Sequence, residues 1–187
     1  GSRARGDATA DSDVDVACFA DVVEAARDAR RFGDVFLDGF VYPTAVATAA
    51  PTDALLTLDG GQILLDERGL AQPLLGRVAL SAAAPVPALS SSERELRRSW
   101  ARKMLLRIRR DDVEAHYRRH WLLFQLLEDH YALRQWRYRG PKLAFIELAQ
   151  RAPATMAAFA AALAPGATLA AIEALVAHIE AVDDDEA

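Results

Sequence analysis

The first sixteen residues, GSRARGDATADSDVDV, gather the groups that could do chemistry. Gly1-Ser2 reads as a turn opening a short helix, and a helix N-terminus offers unpaired backbone N–H groups and a hydroxyl to phosphate oxygens. Beyond a gap of ten residues from Ser2, Asp13 and Asp15 alternate with Val14 and Val16, which puts two carboxylates on one face of a strand. Hard divalent cations such as Mg²⁺ take oxygen ligands and keep substrate phosphates in their shell. Paired aspartates beside a phosphate-binding turn therefore describe a metal-assisted phosphoryl- or nucleotidyl-transfer site. Asp-x-Asp by itself would describe only the polar face of an edge strand; the Gly-Ser turn at this distance gives it chemical meaning.

Other constellations point elsewhere. His116 and His120 stand four apart on a helical pattern, but without an adjacent glutamate or a third ligand they do not describe a zinc site. Arg94, Arg97, Arg98, Arg102, Lys103, Arg107, Arg109 and Arg110 crowd one segment, yet Glu93, Glu95, Asp111 and Asp112 flank them and no aromatics interleave. They read as a solvated helix face and argue against a nucleic-acid partner. Cys18, the single cysteine, excludes a disulfide framework and reads as a small hydrophobe.

The elements that must position these residues differ between the halves of the chain. With 187 residues, 52% hydrophobic and net charge −5, the composition is that of one soluble globular unit or two small ones. Residues 1–89 carry seven arginines against thirteen acids, residues 90–180 fifteen cations against ten, and Asp183, Asp184, Asp185 and Glu186 form an acidic tail. In the first half, strands are expected over 12–19 and 35–42, a short helix over 21–31, a hairpin of 54–58 and 62–65 around Asp59-Gly60-Gly61, and a short helix over 69–78. Residues 81–92, with two prolines and four serines, read as a linker. The second half reads as helices: a capping box at Ser92/Glu95 before a stripe of Leu96, Trp100, Met104 and Ile108; then a central helix with Val113, Tyr117, His120, Phe124, Leu127 and Tyr131 as its apolar face. Further helices are expected near 142–150, 153–163 and 168–182. No run of eighteen apolar residues and no signal peptide occurs, so the expected setting is cytoplasmic, away from membranes.

The opening motif resembles the signature of the polymerase-β-like nucleotidyltransferases, and is similar to that of small bacterial members such as aminoglycoside nucleotidyltransferases and toxin-adenylylating antitoxins. Their pattern is Gly-Ser, nine to thirteen residues, then Asp-hydrophobic-Asp. The likeness is close over the first sixteen residues and holds in outline beyond. It implies an α+β fold: a mixed nucleotidyltransferase sheet lacking the family's usual first strand in a catalytic domain over 1–80, the linker 81–92, a helical domain over 93–182 and the tail 183–187. It further implies that Gly1 and Ser2 hold the β- and γ-phosphates of ATP or another nucleoside triphosphate, with Arg3 and Arg5 neutralising phosphate charge. Asp13 and Asp15 would bind two Mg²⁺ ions with a third carboxylate from a neighbouring strand. Asp38 is the first choice and Asp34 the second. Glu128, on the stripe with Trp121, Phe124 and Tyr131, is the candidate general base, with a bundle salt bridge as the plainer alternative; Asp129 and His130 are weaker candidates. The expected reaction transfers a nucleoside monophosphate, with AMP from ATP as the first choice, to a hydroxyl of a small molecule or protein and releases pyrophosphate. The alternative is a catalytically impaired, antitoxin-like or binding module whose helical half docks a partner protein; a homodimer also stays open.

Overall fold

A computed structural model describes residues 1–181, so the acidic tail and Val182 lie outside the described residues. The chain divides into two compact units, Gly1–Ala84 and Pro85–Ala187, one α+β and one helical.

In the first unit a one-turn helix α1 (Ser2–Arg5) leads to strands β1 (Val14–Ala20), β2 (Ala26–Phe32) and β3 (Val35–Pro43), arranged in the order β1-β3-β2. The central strand β3 pairs parallel to β1, with Val14 opposite Leu37 and Asp15 opposite Asp38, and antiparallel to β2. The helix expected over 21–31 is thus corrected: most of that segment is the edge strand β2. Its Ala- and Arg-rich sequence is helix-compatible, but Gly33-Asp34 closes a two-residue hairpin with Gly33 at φ 60°, the glycine requirement of a II′ turn, and pairing with β3 overrides propensity. The arginines of β2 also keep an open sheet edge charged.

Two short helices, α2 (Thr44–Ala49) and a 3-10 turn over Thr52–Leu58, precede α3 (Ala71–Ala83). Ala47, Leu55, Leu74 and Val78 form their buried core, with Phe19 of β1 packed against it. The hairpin expected at 54–65 is absent. Pro51 starts the 3-10 turn, and Gly61 N–H donates to the Leu58 carbonyl, which a side chain at position 61 would crowd. Arg77 of α3 donates to the terminal carbonyls of α2, those of Thr48 and Ala47, while the Asp66 carboxylate accepts from the N–H groups of Leu70 and Ala71 at the start of α3.

The second unit consists of α4 (Ser91–Ile108), α5 (Val113–Leu133), α6 (Pro141–Arg151), α7 (Pro153–Leu163) and α8 (Leu169–Glu180). The capping box at the start of α4 is Ser90 with Glu93, two residues earlier than expected. Met104, Leu122, Leu126, Tyr131, Leu148, Phe159, Ile172 and Leu175 are fully buried. The expected face of α5 holds only in its C-terminal half: Leu127 and Tyr131 are buried, whereas Val113, Tyr117, His120 and Phe124 are exposed and Ala115, Leu122, Leu126 and Leu133 face the core instead. Arg97 and Arg102 of α4 and Arg109 at its C-cap staple helices, pairing with Asp129, Glu180 and Glu173.

Candidate functional site

Glycine at both ends shapes the N-terminal turn. Gly6 closes α1 in the left-handed region at φ 80°, and a Cβ on Gly1 would overlap the Asp15 carboxylate. Gly1 therefore lies directly against the second aspartate of the motif, fourteen residues along the chain. The guanidinium of Arg3 donates to the Ser12 carbonyl at 2.8 Å, and Gln62 Nε2 donates to the Ala4 carbonyl at 2.8 Å. Arg3 thus fastens the turn to the residue before Asp13, a positioning role that motif spacing does not reveal. Arg5 pairs with Asp7 at 3.4 Å.

Asp13 and Asp15 are exposed, and among the described residues neither has a hydrogen-bond or ion-pair partner. Asp38, opposite Asp15 in the parallel pair, shares its face of the sheet because register partners point to the same side. Its carboxylate is already engaged: Arg27 donates Nε to Oδ1 and a terminal nitrogen to Oδ2, both at 2.7 Å. The Arg27 guanidinium holds the Asp38 carboxyl below the usual carboxylate range, and the carboxylate in turn raises the guanidinium. Arg27 is the residue that sequence reasoning missed. Its signal, a cation two positions along an antiparallel partner strand, is legible only once β2 is recognised as a strand.

Among the described residues no three His, Cys, Asp or Glu side chains are gathered in the arrangement of a metal centre. Asp13 and Asp15 nevertheless present only oxygen, the donor type a hard cation takes, whereas both oxygens of Asp38 are held by Arg27. Asp34, the other candidate, sits in the hairpin turn and lines a cleft of about 440 Å³ with Ala10, Asp11, Ser12, Arg31, Val35 and Phe36.

In the helical unit, Glu128 is half-buried beside Tyr138, whose phenol is raised by burial and then by the Glu128 charge. Asp129 is buried and paired with Arg97, and also accepts from Gln125 Nε2 at 3.0 Å, so it serves the bundle. His130 is fully enclosed, edge-on to Tyr131 and Trp136, and has no path to a substrate. His116 bonds Asp111 at 3.0 Å. Tyr117, His120, Trp121 and Phe124 line a shallow depression on α5.

No helix among the described residues is long and apolar enough to cross a membrane. Residues 1–64 match the family described as nucleotidyltransferase domain. No curated protein and no solved structure gives a match to the chain.

Proposed function

Because residues 1–64 belong to the polymerase-β-like nucleotidyltransferase superfamily, we propose that the protein transfers a nucleoside monophosphate, with AMP from ATP as the first choice, to a hydroxyl of a small molecule or protein and releases pyrophosphate. One observation carries this reading. Gly1 lies against the Asp15 carboxylate, so a turn able to face phosphate and a strand able to face a cation converge at one place. Gly1 and Ser2 would present backbone N–H groups to the β- and γ-phosphates. Asp13, Asp15 and, once released from Arg27, Asp38 would hold Mg²⁺. When bound, the metal lowers the pKa of the acceptor hydroxyl and stabilises charge at the α-phosphate. Arg3 keeps the turn beside the acidic strand.

Pyrophosphate release from Mg·ATP tests the reading. Asp15→Asn should slow it about a thousandfold, the equivalent of roughly 4 kcal/mol of transition-state stabilisation, with thermal unfolding unchanged. An Mg-dependent rate that is the same in both proteins would refute it. The bidentate Arg27–Asp38 pair favours one alternative, a catalytically impaired module whose helical half docks a partner protein. Absence of Mg·ATP binding by calorimetry would select it.

A further inference from the structure

Asp15 and Asp38 lie opposite one another on adjacent parallel strands, about 5 Å apart along the hydrogen-bonding direction, a spacing at which two bare carboxylates repel. Arg27 relieves that repulsion. It reaches across from β2, where it is opposite Phe40, two residues beyond Asp38 on the same face, and its guanidinium also lies 5.2 Å from the Phe40 ring centroid. Both Asp38 oxygens are engaged, and the Asp38 side chain is 16% exposed while that of Arg27 is 59% exposed. The carboxylate is seated in the sheet; the guanidinium has solvent on its outer side and room to turn away. A divalent cation on Asp38 would sit within a few ångströms of the guanidinium, so metal and arginine cannot share the carboxylate without strong repulsion.

We propose that Arg27 is a built-in competitor for Asp38, and that it leaves the carboxylate for the triphosphate when metal and nucleotide bind together. The cation that blocks the third ligand in the free protein becomes a phosphate contact in the loaded one, since guanidinium groups bridge phosphate oxygens as well as carboxylates. Site assembly is thereby tied to the arrival of nucleotide, and metal alone binds poorly. This inference rests on the proposed role of Asp13, Asp15 and Asp38.

Binding of Mn²⁺ without nucleotide, followed by electron paramagnetic resonance, separates the two claims. Arg27→Met should bind Mn²⁺ about tenfold more tightly than the wild type, because the internal cation is gone, and Asp38→Asn in that background should reverse the gain. The same Arg27→Met protein should bind Mn²⁺ with an α,β-nonhydrolysable ATP analogue more weakly than the wild type, an inversion that a purely structural arginine would not produce. Arg27→Lys, a point charge unable to bridge both oxygens, should shift Mn²⁺ binding in the same direction by less, and serves if the methionine variant does not fold. Mn²⁺ affinity that depends on Asp15 but does not rise in either variant overturns this inference alone. Mn²⁺ binding unaffected by Asp15→Asn overturns the carboxylate site itself and the inference with it.

Discussion

At Gly1 the missing side chain is a geometric requirement, because any Cβ would overlap the Asp15 carboxylate. Gly1→Ala must turn the Asp15 carboxylate aside by about an ångström to restore van der Waals contact. Misplacement on that scale costs about a hundredfold in rate when reacting groups are held for in-line attack. Pyrophosphate release should fall by that order while circular dichroism stays unchanged; full activity in the alanine variant would show that the turn does not face the reaction. Arg3 and Arg27 are instructive together. Both are cations near the acidic motif; the motif reads Arg3 as a neutraliser of phosphate charge and passes over Arg27. Their partners differ: Arg3 grips a backbone carbonyl that locates Asp13, whereas Arg27 grips a carboxylate of the candidate site itself.

Among the elements, α5 carries the sharpest contrasts. His130 has no accessible surface, and neither ring nitrogen finds a hydrogen-bond partner among the described residues. Burial, reinforced by the charges of Arg134 and His178, lowers it from 6.5 to about 3. The unfolded chain therefore binds a proton between those values that the folded one refuses. The neutral ring costs nothing above pH 6.5, and stability is lost as pH falls from there toward 3, with a slope of up to about 1.4 kcal/mol per pH unit. Asp21, held at about 2 by Arg68 and Thr44, loses its own contribution only as pH falls from 3.8 toward that value, so the interval from pH 6.5 to 4 belongs mainly to His130. Denaturant melts at pH 7 and 5 should show the slope in the wild type and its loss in His130→Leu. At the adjacent position of α5, Arg97→Met on α4 would strand the buried Asp129 charge and should cost about 3–5 kcal/mol in the same melts, far more than a surface ion pair.

For the molecule as a whole, the two units have separate cores, one around Leu74 and Val78 and one around Leu126 and Phe159. Trp100, Trp121 and Trp136 all lie in the second unit, so tryptophan fluorescence follows that unit alone while circular dichroism follows both. The two unfolding curves are expected not to coincide. Leu126→Ala, at about 2–5 kcal/mol, should move the fluorescence transition and leave the remaining dichroic one in place; a single coincident transition for every probe would show that the units unfold as one.

The sequence by itself determined the Gly-Ser turn and acidic-strand motif, the α+β character and the helical second half, because these rest on short spacings, glycine and proline breaks, and local periodicity. Tertiary structure alone decided that residues 26–32 form a strand and not a helix, which residues of the N-terminal half of α5 are buried, and that Asp38 is held by Arg27. Each of these depends on partners remote in sequence: an edge strand acquires its conformation from the strand it pairs with, a helix face from what packs on it, and a carboxylate its counter-ion from a register that no single segment encodes.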